Sequence, residues 1–343
     1  MVDLRGRSGA RRTGRLRRRL ESRSAGGRPF LGCVVSESLL LAELARRGEV
    51  AFSAISEARA PQQFSAQAMM GGSHAYSWDT KQSEFHVHGL GVGREGRSWW
   101  IEALCSFGRA PEDRIKARIA DYLGMRPSGV RVRRSETFRP YGTAGDPWAH
   151  AALISRGELG TFGGLANDLQ SSLAVAISNN HVFADSNAGA PGDPIVDVRT
   201  GAKVGVLARF VRLLPPPGWN EVDAAAAYVF DGTADSGSWL GRAGTPSPGM
   251  RVKKLGARTG LTYGTVASVR VTVNVDYPTL GPCRFRSCFR IVGADGPFSL
   301  PGDSGSLVCG LDNRVVGVIF AGDGFSSLAN PALAVQDALD VVF

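Results

Sequence analysis

Cysteine and histidine are scarce in this chain, five of each among 343 residues. The cysteines (Cys33, Cys105, Cys283, Cys288 and Cys309) are odd in number and thinly spread, which excludes a disulfide framework; the spacing is compatible with one Cys283–Cys288 bridge. A metal centre is not expected either. His86-x-His88 puts two imidazoles on one face of a strand and Cys283-x4-Cys288 is loosely ligand-like, but neither has a second pair at suitable spacing. These side chains read instead as solvated strand histidines and buried thiols. Gly91-Val92-Gly93 lacks the helix that a dinucleotide fingerprint requires directly after it, so no cofactor is expected.

Long apolar runs are also missing. No stretch approaches the roughly 20 apolar residues of a membrane span, so no membrane partner is expected. The first apolar segment, residues 30–45, is interrupted by Glu37 and Glu43, which a secretory segment should not carry. Phe30-Leu31-Gly32-Cys33 is not a lipoprotein cleavage site, because residues 24–28 before it are not hydrophobic. The expected location is therefore cytoplasmic.

Charge of one sign is lacking over most of the chain. The net charge is +9, but residues 1–28 hold ten arginines against Asp3 and Glu21, and the remainder carries 30 basic and 29 acidic residues. A nearly neutral body has no steering field for a polyanion, so nucleic acid is not an expected partner. An affinity carried by the arginine tail alone would be steeply salt-dependent and lost with residues 1–28.

What is present divides the chain in three. Residues 1–68 are expected to be a basic, largely disordered tail with a short helix at 38–47, capped by Ser36 or Ser38 and stopped by Gly48. Its apolar face is Leu39, Leu40 and Leu44, and it reads as a marginal element. A later start at the Met69-Met70 pair is an alternative for this region. Residues 69–150 suggest a small α/β unit. Phe85 to Gly93 reads as a strand running into a turn, Trp99 to Cys105 as a second strand, and Glu112 to Leu123 as a helix with Ile115, Ile119 and Leu123 on one face. Val130-Arg131-Val132-Arg133 alternates as an edge strand does. From 151 to 343, strand-length apolar runs alternate with Gly, Pro, Asp and Asn turns, which points to an all-β sandwich or barrels closed by a helix over about 331–342.

One polar knot stands out among these strands: Pro301-Gly302-Asp303-Ser304-Gly305-Ser306. Two glycines bracket a serine, in a turn able to present a hydroxyl beside backbone N–H groups, as acyl transfer requires. A nucleophilic serine needs a base and an orienting carboxylate. His181, in Ser178-Asn179-Asn180-His181-Val182-Phe183, lies where an apolar strand turns polar. Asp223 enters the run Ala224 to Ala227 and is expected to be partly buried, hence partnered. All five histidines precede Ser304, which excludes the Ser–acid–His order of α/β-hydrolases; Asp168 is a poor acid for the subtilisin order. The order His181, Asp223, Ser304 remains.

The three blocks SNNHVFA, NEVDAAAAYV and PGDSGSLV resemble the catalytic blocks of trypsin-like, chymotrypsin-fold serine endopeptidases, and among these the bacterial trypsin-like peptidases related to the plant narrow-leaf protein. The resemblance covers about residues 158–343. It implies a mainly β, chymotrypsin-like double β-barrel, with barrel one over about 158–232 and barrel two over about 249–330, preceded by the α/β unit and the tail. It implies Ser304 as nucleophile, His181 as base, Asp223 as orienter, and backbone N–H groups of Gly302 and Ser304 as the oxyanion hole. Phe320, Ala321 and Gly322 would offer a strand edge to the substrate backbone, and Asn330 would line a pocket. The implied activity is a serine endopeptidase acting on a protein or peptide substrate; a catalytically weak protease-fold scaffold is the alternative. The chain departs from the pattern at Ser306, which replaces a glycine, and in lacking an Ile-Val-Gly-Gly activation site; Asp303 is expected to pair with an arginine such as Arg258 instead.

Overall fold

The computed structural model describes residues 41–46, 48–49, 52, 85–96, 98–107, 110–140, 152–155, 158–198, 200–230 and 242–343. The basic segment 1–28, the Ser36 and Ser38 caps and the Met69-Met70 pair lie outside them. The chain is mainly β, in a double-barrel-like arrangement of two sheets. Six strands of the larger sheet close on themselves: Gly281–Gly293, Ser327–Pro331, Val315–Gly322, Leu307–Gly310, Arg251–Gly256 and Gly260–Tyr277, which pairs back onto Gly281–Gly293. Every pairing in this ring is antiparallel. Closure leaves no free edge along its length. Two buried apolar groups pack on its strands, one around Val252, Phe289 and Ile319, the other around Val273, Phe285 and Phe320.

The second sheet has eight strands and contains Gly164–Asp168, Ala174–Ser178, Ala225–Val229 and Lys203–Phe210 as consecutive antiparallel neighbours. Alanine dominates one of these strands because its positions sit fully buried against Val175, Ile177 and Leu207. The final helix, Ala332–Leu339, and the two-residue strand Val341–Val342 return the C-terminus to this sheet.

The α/β unit is there, with its helix at Glu112–Leu123 and Gly124 as the left-handed cap. It differs from expectation in three ways. Phe85–Glu95 is one continuous strand rather than a strand and turn. Its glycines serve close approach: a Cβ at Gly91 would lie 2.8 Å from Val271, and one at Gly93 would collide with the Trp100 indole. The strand pairs with Ser268–Val273 of the long Gly260–Tyr277 strand, so the unit continues the larger sheet. The short helix also runs on through Gly48 and Glu49 instead of stopping there. It is not isolated, because Leu41 and Leu44 pack on the cluster that holds buried Phe52, Ile115 and Ile119.

Cys283 and Cys288 are free thiols, like Cys105 and Cys309. They sit at different heights of one strand, opposite Val275 and Val271, and both are buried. Burial pushes the Cys283 thiol up to about 12. Of the two strand histidines, His88 is buried rather than solvated.

Candidate active site

Gly302 (φ 103°) and Gly305 (φ 93°) take backbone angles that side chains resist, and between them Asp303 and Ser304 are fully buried. A side chain at Gly305 would strike Ser178 Oγ and Thr161 O. The turn is sewn to the smaller sheet: Thr161 N donates to Ser304 O at 2.7 Å, and Thr161 Oγ1 to Gly302 O at 2.9 Å.

Asp303 is the anchor of this turn. Its Oδ1 accepts the backbone N–H groups of Arg258 (2.9 Å) and Thr259 (3.1 Å). Its Oδ2 accepts Thr259 Oγ1 (2.7 Å) and Leu300 N (2.9 Å), and lies 3.3 Å from Lys254 Nζ. The expected arginine partner is thus corrected. Arg258 contributes its main chain, and the cation is Lys254, itself fully buried. Burial lowers the Lys254 pKa, and the Asp303 carboxylate opposes that shift. Lysine at 254 could be found from register, since Val252, Lys254 and Gly256 alternate on the inward face of Arg251–Gly256.

His181 stands on a single helical turn, Asn180–Phe183, directly after the strand Ala174–Ser178. Asp223 lies just ahead of the neighbouring strand, so the pairing of the two strands brings both side chains together. His181 Nδ1 is 2.5 Å from Asp223 Oδ2, and both residues are fully buried. A carboxylate only accepts, so Nδ1 carries the hydrogen and Nε2 of the neutral ring keeps its lone pair. Asp223 Oδ1 accepts the N–H groups of Asn180 (2.7 Å) and His181 (3.3 Å). Its Oδ2 accepts a second side chain, the Tyr277 hydroxyl, at 2.7 Å. Tyr277 also sets its ring edge-on to His181, with centroids 6.0 Å apart. Burial, then the Asp223 charge, raises the Tyr277 pKa well above that of a free phenol. Tyr277 escaped the sequence reading because it ends a long strand far along the chain; its only hint was a polar tip in an apolar run.

Asn330, expected to line a pocket, lies against the Asp223 turn. It is fully buried, its Oδ1 accepts Asp223 N at 3.0 Å, and its Nδ2 donates to Glu221 O at 3.3 Å. It braces the turn that carries the carboxylate. Ser304 Oγ donates to Phe320 O at 3.4 Å, while His181 Nε2 has no hydrogen-bond partner among the described residues. Phe320 and Ala321 are buried. Ala321 and Gly322 pair with Leu328 and Ser327 on one side and with Pro140 and Arg139 on the other. Among the described residues no cluster of histidine, cysteine and acidic groups is suited to a metal ion. Asp168, set aside as a triad acid, is held below the usual carboxylate range by Arg209 and lies away from His181 in the register, against Val341.

No family model and no curated protein matches the chain. Solved structures to which it is similar include a glutamic acid specific serine protease, at 20% identity over 56% of this chain and 97% of that one, with a TM-score of 0.40. Another is the chymotrypsin of Cellulomonas bogoriensis, at 21% identity over 56% and 95%, with a TM-score of 0.39. A third is the Nocardiopsis protease, at 20% identity over 58% and 98%, with a TM-score of 0.41.

Proposed function

We propose that the chain is a serine endopeptidase acting on protein or peptide substrates. The observation that carries this reading is the buried His181–Asp223 pair, in which a carboxylate fixed by four donors sets the imidazole tautomer. Ser304 Oγ attacks the scissile carbonyl, and His181 Nε2 takes the hydroxyl proton and passes it to the leaving amine. Asp223 stabilises the imidazolium between these steps. Backbone N–H groups of Gly302 and Ser304 hold the developing oxyanion, a contribution of roughly 3–4 kcal/mol per donor. Kinship with the narrow-leaf-related peptidases belongs to the same proposal and rests on the three motif blocks. The test is labelling by a fluorophosphonate: covalent modification of the wild type and none of Ser304→Ala supports it. Failure of the wild type to label in any state overturns it.

A second reading, a protease-fold scaffold with little turnover, is favoured by one feature. Ser304 Oγ is bonded to Phe320 O, and His181 Nε2 receives no hydrogen bond. Under it, partner binding is unchanged by Ser304→Ala and His181→Ala.

A further inference from the structure

Ser304 and His181 are both wholly covered, so a peptide carbonyl reaches the hydroxyl only after something moves. The strand Val315–Gly322 shows what that is. One of its edges is taken along residues 317–322 by Ser327–Pro331. The other edge carries three successive partners. Leu307–Cys309 pairs up to Val318. The serine turn follows, with Gly305 N donating to Ile319 O and Ser304 Oγ to Phe320 O. Beyond it Ala321 faces Pro140 and Gly322 faces Arg139. This pairing is antiparallel, so the step from Arg139 to Pro140 runs along the edge toward Phe320 and the serine turn.

We propose that the Ala321–Gly322 edge receives an extended peptide and that the chain's own Arg139–Pro140 is its resident occupant, a built-in stand-in for substrate. The inference rests on the endopeptidase reading and names how that site is regulated. Strand addition suits the edge, because what it presents is main-chain N–H and C=O beside a residue without a side chain. Besides Ser135 N, which donates to Cys105 O at 2.9 Å, two side chains anchor the occupant. Phe138 is fully buried beside Phe320, Ala321 and Leu328, with its carbonyl accepting Asp276 N at 3.1 Å. Ser135 Oγ donates to Asp323 Oδ2 at 2.7 Å. The strands before it are held far more firmly, by the full length of the Phe85–Phe107 hairpin and its pairing to Ser268–Val273. Among the described residues, release requires 135–140 to leave, with the Phe85–Phe107 hairpin still in the sheet.

The experiment uses the full chain and two probes, a small fluorophosphonate and a phosphonate carrying a four-residue peptide. Ser135→Ala and Phe138→Ala loosen the anchors without touching the triad. Both probes are expected to label Ser304, and the peptidyl probe to label the variants about tenfold faster than the wild type as the open population grows. Ser135→Ala leaves the apolar core intact and carries the test should Phe138→Ala unfold. Hydrogen exchange on the labelled wild type is expected to show amides 135–139 deprotected and amides 85–107 unchanged. Equal peptidyl-probe rates in all three proteins, with amides 135–139 still protected after labelling, overturn this inference alone. No labelling by the small probe in any of them overturns the endopeptidase reading, and this one with it.

Discussion

Two fully buried carboxylates, Asp223 and Asp303, are held in nearly the same way and face different groups. Each offers one oxygen to two backbone N–H groups, from Asn180 and His181 in one case and Arg258 and Thr259 in the other. Each turns its second oxygen to side chains, and that of Asp303 also accepts Leu300 N. Asp223 meets an imidazole and a phenol, and Asp303 meets a threonine hydroxyl and an ammonium. The Asp303 carboxylate pairs with Lys254 and so fixes the serine turn. Under the proposed function the Asp223 charge stabilises an imidazolium instead. Equal burial thus accompanies an ion pair in one place and, under the proposed function, proton transfer in the other.

Substitutions separate the two sites. The largest effect is expected from Asp223→Asn, which keeps the shape but loses the acceptor that sets the His181 tautomer. Peptide hydrolysis should fall about ten-thousandfold with little change in folding, checked by kcat/KM and far-ultraviolet dichroism. Lys254→Met should act in the opposite sense, on stability, by stranding the Asp303 charge. Urea unfolding is expected to show a loss of about 3–5 kcal/mol. A smaller loss, about 1.5–3 kcal/mol, is expected for Tyr277→Phe, which removes one of four donors to Asp223. That variant should also move the acid limb of the pH–rate profile to higher pH, since the less solvated carboxylate attracts the imidazolium more strongly. An unmoved limb would show Tyr277 to be packing only.

A loss of similar size, spread over pH rather than caused by a substitution, concerns a buried polar group with neither kind of support. His88 Nε2 has no hydrogen-bond partner among the described residues, and burial lowers its pKa to about 4 from 6.5. The folded state stays neutral there while the unfolded chain takes up a proton. Stability is accordingly full above pH 6.5 and falls as the pH drops toward about 4, by at most about 3 kcal/mol. Unfolding midpoints that are flat across this range in the wild type would contradict it.

How far the sequence could be read depended on what each residue needed. The helix Glu112–Leu123 was legible to its cap, because Ile115, Ile119, Leu123 and Gly124 specify it locally. Strands were legible wherever alternation was strong, as in Lys203–Phe210. The short strand Ser327–Pro331, which closes the six-stranded ring, was not, since its residues are buried on both faces and show no period of two. The glycines after His88 were misread as a turn, because glycine marks close approach as readily as it marks reversal. The contacts of Asn330 and Tyr277 with Asp223 had no local signature, for the partners lie more than fifty residues apart.

By itself, the sequence determined which chemistry was available: few histidines, their order relative to Asp223 and Ser304, and a glycine-bracketed serine between strands. These are matters of residue type and order, which no packing alters. Only the tertiary structure decided which cation answers Asp303, what else touches Asp223, and that the Ala321–Gly322 edge is taken by Arg139–Pro140. Each of those contacts joins segments distant in the chain across strands whose register is set by the whole sheet. A contact of that kind has no period and no neighbour to announce it, and exists only once the strands have paired.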